Sequence, residues 1–249
     1  MKDKFARQVT QFAVLYCLFS SVAWANSIIG QKAYVQGNYT TAMREFKLDM
    51  TPRSCYRIGT MYDYGLGVKE DPKEAMSWFL KAAEHGYEHA LHRVGEMCEN
   101  GRGVAENLKQ AFEWYRKAAE LGLPVSQYKL GDMYLSGTGM PRNTQEGLKW
   151  LLKSAETGNL SAQFDIAQMY ENGSNLKQDL TQAARWYLRS AEQGQISAQY
   201  AIGRLYFKGI DGKPNKTEAI KWLKKAADKG HGRARIALTQ ISETEKLQP

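Results

Sequence analysis

Five tryptophans recur at a fixed interval of 36 residues, and this spacing constrains the fold more than any other feature of the sequence. They are Trp78, Trp114, Trp150, Trp186 and Trp222. A fixed period of this length is typical of a solenoid, in which each unit buries its apolar face only by stacking on its neighbours. The sequence therefore predicts an array of one repeated unit and not a globule built around a single core.

Each unit predicts two short helices, A and B. Helix A is predicted to begin with a small residue, taken as its first position, and carries apolar residues four, seven and eight positions later, which is one face at 3.6 residues per turn. The small residues are Ser54, Ala90, Ser126, Ala162 and Ala198. A glycine at the sixth position of helix A predicts close helix packing. It is Gly59, Gly95, Gly131 and Gly203, with Ala167 as the exception.

Helix B has start and stop signals. Its N-cap residues are Asp71, Asn107, Asn143, Asp179 and Asn215. Three residues after each comes Glu or Gln, the reciprocal partner of a capping box. Helix B is predicted to end at a glycine in the left-handed conformation. These glycines are Gly86, Gly122, Gly158, Gly194 and Gly230.

The repeated motifs resemble the Sel-one-like repeat family, which is related to the tetratricopeptide repeat. The elements that recur in phase are Gly-x-Met-Tyr-x-x-Gly-x-Gly, Ala-x-x-Trp and Ala-Ala-Glu-x-Gly. The resemblance implies an all-α, right-handed α/α solenoid of stacked 36-residue helical hairpins, which assembles other proteins and has no catalytic centre. Two loops lack the second glycine and carry Asn175 and Asp211 instead, and Cys98 replaces a helix A tyrosine. We expect local loop changes at these departures.

The repeat phase also predicts the domain boundaries. The predicted segments are a cleaved signal peptide at 1–25, a tetratricopeptide-like capping hairpin at 26–53, repeats at 54–89, 90–125, 126–161, 162–197 and 198–233, and a C-terminal capping helix and tail at 234–249. Terminal units of a solenoid need a polar outer face, and the Ser/Glu/Thr/Lys-rich tail supplies one.

The first 25 residues read as a secretory signal peptide. A basic start precedes the apolar run from Phe12 to Phe19, and Ala23-Trp24-Ala25 is an A-x-A cleavage site. We expect cleavage between Ala25 and Asn26 and a periplasmic or secreted mature chain. An uncleaved signal anchor is the alternative, although the apolar run is shorter than the roughly 20 residues that span a bilayer.

The positive charge is concentrated in the fifth repeat. The formal charge is +8 for the whole chain, and residues 198–233 carry nine Lys/Arg against three Asp/Glu. Weak contact of this repeat with an anionic surface is one interpretation, and a solvated helix B face is the favoured one. The solvated-face lysines are Lys221, Lys224, Lys225 and Lys229. Nucleic acid is not an expected partner, because no aromatic-basic binding motif accompanies the charge.

Motifs for catalysis, metal or cofactor are weak, and we expect none of the three. Ser126 and Lys129 fit an S-x-x-K pattern, but Ser126 occupies the small-residue position of the repeat, and no S-D-N or K-T-G motif accompanies it. A β-lactam-binding or β-lactam-hydrolysing protein, like the cysteine-rich members of the family, is therefore the alternative function. Cys55 and Cys98 are predicted to be too far apart for a disulfide. The histidines His85, His89 and His92 are interpreted as a surface cluster.

The favoured function is an exported, monomeric scaffold that binds a protein partner in a groove lined by helix A. The tenth helix A position is acidic in three repeats but Leu135 and Phe207 in two, and apolar residues on a solvated row favour partner contact. The predicted groove therefore contains Leu135 and Phe207, flanked by Asp132, Gln168 and Arg204, with Tyr128 and Tyr200 from an aromatic row at the third position. That row is also open to interpretation as packing between repeats. A secreted factor that binds a host protein is the same function in another location.

Overall fold

A computed structural model describes residues 26–210 and 212–246. Helix α1 spans residues 26–35. It is followed by α2 (Tyr39–Asp49), α3 (Pro52–Tyr64), α4 (Pro72–Glu84), α5 (Glu88–Asn100), α6 (Leu108–Glu120), α7 (Pro124–Ser136), α8 (Thr144–Glu156), α9 (Leu160–Asn172), α10 (Leu180–Glu192), α11 (Ile196–Lys208), α12 (Lys216–Asp228) and α13 (Gly232–Lys246). Within these described ranges there is no β-strand, only an isolated bridge between Ile210 and Lys213. None of the helices described is long and apolar enough to cross a membrane.

The chain forms two compact units that divide after Leu123. In the first unit α3 pairs with α4 and α5 with α6, and in the second α7 pairs with α8, α9 with α10 and α11 with α12. Each pair is a helix A followed by a helix B, as the sequence predicts. The predicted start of helix A is wrong, because every helix A begins two residues before its small residue. The predicted signal peptide and its cleavage site after Ala25 lie outside the described residues.

Every helix B begins at its predicted N-cap residue. The five N-cap side chains each accept a hydrogen bond of 2.9–3.1 Å from the backbone N–H three residues later. The reciprocal bond of the predicted capping box, from the N-cap N–H to the Glu or Gln side chain three residues later, is wrong. The N-cap N–H donates to a helix A carbonyl, as Asn107 does to the Cys98 oxygen at 2.8 Å. That carbonyl lies in the last turn of helix A, where no intrahelical donor is available, so this bond closes the loop.

The predicted left-handed glycines are confirmed at the end of every helix B, where φ is 72–98°. Asn175 also has a left-handed φ of 61°, close to the 71° and 72° of Gly67 and Gly103. The loop change expected at Asn175 is therefore wrong, because asparagine tolerates this conformation. Asp211 itself is outside the described residues, but its loop does differ, since Ile210 and Lys213 form a β-bridge there.

The glycines within helix A allow the close packing that the sequence predicts. A Cβ atom on Gly59 would lie 2.7 Å from the Phe79 ring, and one on Gly95 would lie 2.8 Å from the Tyr115 ring. Each glycine faces the helix B residue that directly follows the repeat tryptophan. Such residues are fully or almost fully buried, so this contact is the centre of the hairpin. We call the helix B residue the hairpin core residue.

Candidate functional site

The tenth position of helix A is coupled to the hairpin core residue. Tyr187 is 1% exposed, and its hydroxyl donates to the Glu171 Oε2 atom at 2.9 Å. In the second repeat, the Tyr115 hydroxyl donates to Glu99 at 2.5 Å. A buried hydroxyl without an acceptor is unfavourable, so the acidic residue stabilises the tyrosine. Burial, together with the negative charge of Glu171, raises the pKa of the Tyr187 hydroxyl.

In the first repeat the tenth residue is Asp63, which is 1% exposed and joins two repeats. It accepts hydrogen bonds from Arg93 and from the Arg102 Nε atom, the latter at 2.7 Å. Arg93 also donates to Glu96 at 2.6 Å. Burial raises the pKa of Glu96, but the hydrogen bonds and charges of His92 and Arg93 outweigh it and lower that pKa to about 2. This cluster holds neighbouring repeats of the first unit together.

The tenth position is therefore not a solvated row, and the premise for choosing Leu135 is wrong. Leu135 is half-buried and lies against Gly147. A Cβ atom added to Gly147 would be 2.8 Å from the Leu135 side chain. Its hairpin core residue is Leu151, which has no hydroxyl and needs no acidic partner. Phe207 is 39% exposed. Leu135 is thus explained by packing, whereas partner contact through Phe207 stays a prediction.

The aromatic row at the third position packs on helix B and also borders the next repeat. The rings of Phe164 and Tyr187 are 5.5 Å apart between centroids. The Tyr128 hydroxyl donates to Asp165 in the following repeat at 2.9 Å. Tyr200 stacks on His231 with ring centroids 4.5 Å apart. All but His92 in this row are half-buried, so each ring combines packing with a partly accessible edge.

A cleft of about 740 Å³ lies on the helix A side of the second unit. It is lined by residues of α9, α10, α11 and α13 and by His231, which directly precedes α13. The helix residues are Phe164, Gln168, Glu171, Asn172, Tyr187, Ser197, Tyr200, Ala201, Arg204, Gly232 and Arg233. We call it the second-unit cleft. Its wall combines aromatic rings with amide, carboxylate and guanidinium groups, a mixture that suits recognition of a polypeptide surface.

Charge in the second-unit cleft is only partly balanced. Arg204 pairs with Glu171, which also accepts the Tyr187 hydroxyl. Arg233 is exposed at the start of α13, and His231 lies on the Tyr200 ring. The cleft therefore presents one exposed cation beside an internal ion pair.

The structure brings together three of the predicted groove residues, Gln168, Arg204 and Tyr200, in the second-unit cleft. Leu135, Phe207, Asp132 and Tyr128 do not line it. Sequence reasoning missed Glu171, Asn172, His231 and Arg233. The tenth and eleventh helix A positions contribute Glu171 and Asn172, so the 36-residue register carried the signal for those two residues.

The tryptophans differ in burial. Trp186 and Trp222 are 9% and 4% exposed, whereas the other three are half-buried, so burial is nearly complete only for these two. Each indole ring carries a cation from the residue three positions later, 4.0–4.9 Å from the ring centroid. These cations are Lys81, Lys117, Lys153, Arg189 and Lys225. Such contacts cover the outer faces of the rings.

Other candidate groups take structural places. Ser126 has no exposed surface, which argues against a nucleophile in the S-x-x-K pattern. Cys55 and Cys98 are both buried free thiols. His92 packs against Tyr115, with ring centroids 5.2 Å apart, while the other two histidines of the cluster are exposed. In the part of the chain that the structure describes, no three His, Cys, Asp or Glu side chains are placed to hold a metal ion.

The lysines of the fifth repeat lie on the outer face of α12. All four predicted residues are exposed. Lys221 donates to Glu218 at 2.9 Å, Lys225 lies 4.1 Å from the centroid of the Trp222 ring, and Lys229 donates to the Gly194 carbonyl at 3.3 Å. These contacts agree with the favoured solvated face.

Comparison with known proteins gives a consistent result. The Sel1 repeat matches at residues 52–87, 88–123, 124–159, 160–195 and 196–231, two residues ahead of the repeats defined from the sequence. A Sel1 repeat protein from Oxalobacter formigenes is 35% identical, with a TM-score of 0.77 over 85% of this chain and 88% of that one. A comparison with curated proteins gave no match.

A protective antigen of uropathogenic Escherichia coli that displays the SLR fold is 33% identical, with a TM-score of 0.80 over 88% of this chain. The match spans 48% of that antigen, about half its length. The predicted all-α solenoid of 36-residue hairpins is confirmed by the repeat match and by these structures. Sel1 repeat proteins generally mediate protein–protein interactions, and their fold is typically a non-catalytic scaffold. The chain belongs to the Sel1 repeat family.

Proposed function

We propose that this protein is an exported, non-catalytic scaffold that binds a protein partner through the second-unit cleft. The observation that supports the proposal is the cleft itself, which has a volume of about 740 Å³ and is lined by aromatic and hydrogen-bonding side chains. Aromatic and arginine side chains are the residue types that most often dominate binding energy at protein interfaces. Export is supported by the signal-peptide pattern of residues 1–25.

Site-specific photocrosslinking tests the location of the contact. A benzoylphenylalanine is introduced at Gln168, which is exposed and lines the cleft, or at the exposed Arg185 on α10 as a control. In cells of the native host, the Gln168 variant should form a discrete crosslinked product that the Arg185 variant lacks. Equal products at both positions would contradict the proposed contact surface.

A charge-reversal pair then separates the cleft from general electrostatics. Arg233 and Arg235 are both exposed on α13, but only Arg233 lines the cleft. Arg233→Glu should weaken capture of the crosslinked partner by at least about tenfold, which corresponds to about 1.4 kcal/mol. Arg235→Glu should leave capture unchanged. If both variants weaken capture equally, net charge and not the cleft carries the binding.

A further inference from the structure

A second opening lies in the first unit, between α4 and α6, with a volume of about 660 Å³. Its apolar wall consists of Met76 and Leu80 from α4, Cys98 from α5, Val104 from the following loop and Trp114 from α6. The rim is polar and is formed mainly by residues of α6. We call this opening the first-unit pocket.

The repeat register shows which residue stands at the position of Cys98 in the other repeats. Cys98 occupies the ninth helix A position, where the other four repeats carry a tyrosine. Those tyrosines are Tyr62, Tyr134, Tyr170 and Tyr206. The residues that stand 72 positions after Met76, Leu80, Cys98 and Trp114 belong to one hydrophobic cluster. They are Leu148, Leu152, Tyr170 and Trp186. Tyr170 therefore lies in the same cluster as the residues that correspond to Met76, Leu80 and Trp114 of the pocket wall.

The fifth repeat gives the same correspondence. The residues that stand 108 positions after Met76, Leu80, Cys98 and Trp114 also belong to the cluster that contains Tyr170. They are Ala184, Leu188, Tyr206 and Trp222. In two repeats, therefore, a tyrosine belongs to the same hydrophobic cluster as the residues that correspond to the wall of the first-unit pocket. The second repeat has only a thiol at this position, and Cys98 lies on the wall of the opening.

The chemistry of the pocket fits a phenol. Cys98 is 1% exposed, and burial raises the pKa of its thiol, so the inner wall is uncharged at neutral pH. The Lys117 ammonium lies 4.3 Å from the centroid of the Trp114 ring and brings a hydrogen-bond donor to the pocket. An aromatic ring with a polar end matches an apolar interior with a polar rim.

We propose that the first-unit pocket binds the tyrosine side chain of a partner polypeptide, whose ring takes the place that Tyr170 and Tyr206 occupy in their own repeats. The occupant is a polypeptide side chain because the groups that fill the corresponding places in this chain are themselves tyrosines. This site lies in the other unit from the second-unit cleft, and its test does not involve that cleft.

The test uses p-cresol, the isolated tyrosine side chain, and the peptide acetyl-Ala-Tyr-Ala-amide. Each is titrated into the mature chain while backbone and indole N–H signals are followed by NMR. Both probes should give saturable shifts at Val104 and at the Trp114 indole, and acetyl-Ala-Leu-Ala-amide should not. Absence of saturable shifts with both tyrosine probes would overturn the proposal. Binding of p-cresol without the peptide would overturn the polypeptide occupant in favour of a free phenol.

Two substitutions at Cys98 decide whether the missing ring creates the site. Cys98→Tyr restores the residue of the other repeats and should weaken p-cresol binding by at least about tenfold, or about 1.4 kcal/mol. Cys98→Ser keeps the opening and should retain binding within about twofold, or about 0.4 kcal/mol. Equal affinities of the Tyr and Ser variants would refute the proposal.

A complementary variant keeps the test valid even if Cys98→Tyr fails to fold. Tyr170→Cys removes the ring from the corresponding place in the second unit, where Leu148, Leu152 and Trp186 remain. It should create a second p-cresol site, seen as new saturable shifts at the Trp186 indole. If no new site forms, the absence of the ring is not what makes the pocket.

Discussion

Removing one buried hydroxyl tests the pairing between the tenth helix A position and the hairpin core. In Tyr187→Phe the ring stays, but its 2.9 Å hydrogen bond to Glu171 is lost. A hydrogen bond to a charged group contributes about 1.5–3 kcal/mol to stability. Glu171 keeps its ion pair with Arg204, so we expect the lower end, about 1.5 kcal/mol. For a chain of this size, that lowers Tm by about 3–6 °C.

The control is Tyr206→Phe, which removes a hydroxyl from a half-buried tyrosine in the same unit. Nothing in the structure shows a hydrogen bond from that hydroxyl, so its loss should change stability by no more than about 0.5 kcal/mol. Urea unfolding followed by circular dichroism gives both values. Equal stabilities of the two variants would refute the argument that the acidic residue stabilises a buried hydroxyl.

A double-mutant cycle isolates the pair from Arg204. Glu171→Leu leaves the Tyr187 hydroxyl buried without its acceptor, which costs about 1–3 kcal/mol. Combining it with Tyr187→Phe produces an apolar pair like that of Leu135 and Leu151, and part of the loss should be recovered. A coupling energy of at least about 0.5 kcal/mol supports the pairing, whereas additive effects contradict it.

High pH provides a second readout of the same tyrosine. Burial raises the pKa of Tyr187 above its ordinary value of 10.0. The stabilisation by the protonated hydroxyl is present below pH 10 and is lost as the unfolded state deprotonates above it. Wild-type stability should therefore fall more steeply above pH 10 than that of Tyr187→Phe. Parallel profiles would show that this hydroxyl titrates equally in both states.

Four further outcomes are expected. Leu135→Asp should lower the free energy of unfolding by about 2 kcal/mol and Phe207→Asp by no more than about 0.5 kcal/mol, measured by urea unfolding, because only Leu135 is packed. Gly95→Ala should cost about 1–3 kcal/mol, since its Cβ would lie 2.8 Å from an aromatic ring, and an unchanged Tm would contradict this. Glu96→Gln should be destabilising at pH 7, and the difference from wild type should disappear as the pH falls from 4.5 to about 2. N-terminal sequencing of the periplasmic fraction should find Asn26 first, and an intact N-terminus in the membrane fraction would refute cleavage.

Much of the fold could be predicted because its signals are local in sequence. The N-cap oxygens bond within three residues, and the left-handed φ angles suit glycine because it has no Cβ atom. The capping box was wrong in one half because the N-cap N–H of Asn107 meets a carbonyl nine residues earlier. A short-range motif contains no information on a competing acceptor that the loop brings close.

The candidate site was predicted less well, because its residues meet across repeats. Gln168, Tyr200 and Arg204, which were chosen from the helical register, line one cleft. Leu135 was misplaced because its apolar character reflects the hairpin core residue Leu151 and not solvent exposure. Periodicity places residues on the same face of an element, but it does not state which element covers that face.

By itself, the sequence determined the repeat length, the helical hairpin, the positions of the caps and the family. Each of these depends on residues within one 36-residue period. Only the tertiary structure decided which acidic residues are buried partners of tyrosines and where clefts open. Cys98, for example, differs from the tyrosine of the other repeats by one residue type along the chain, and only the tertiary structure places it on the wall of an opening between α4 and α6. Side-chain volume acts between elements, and the packing of those elements is the property that a linear pattern does not contain.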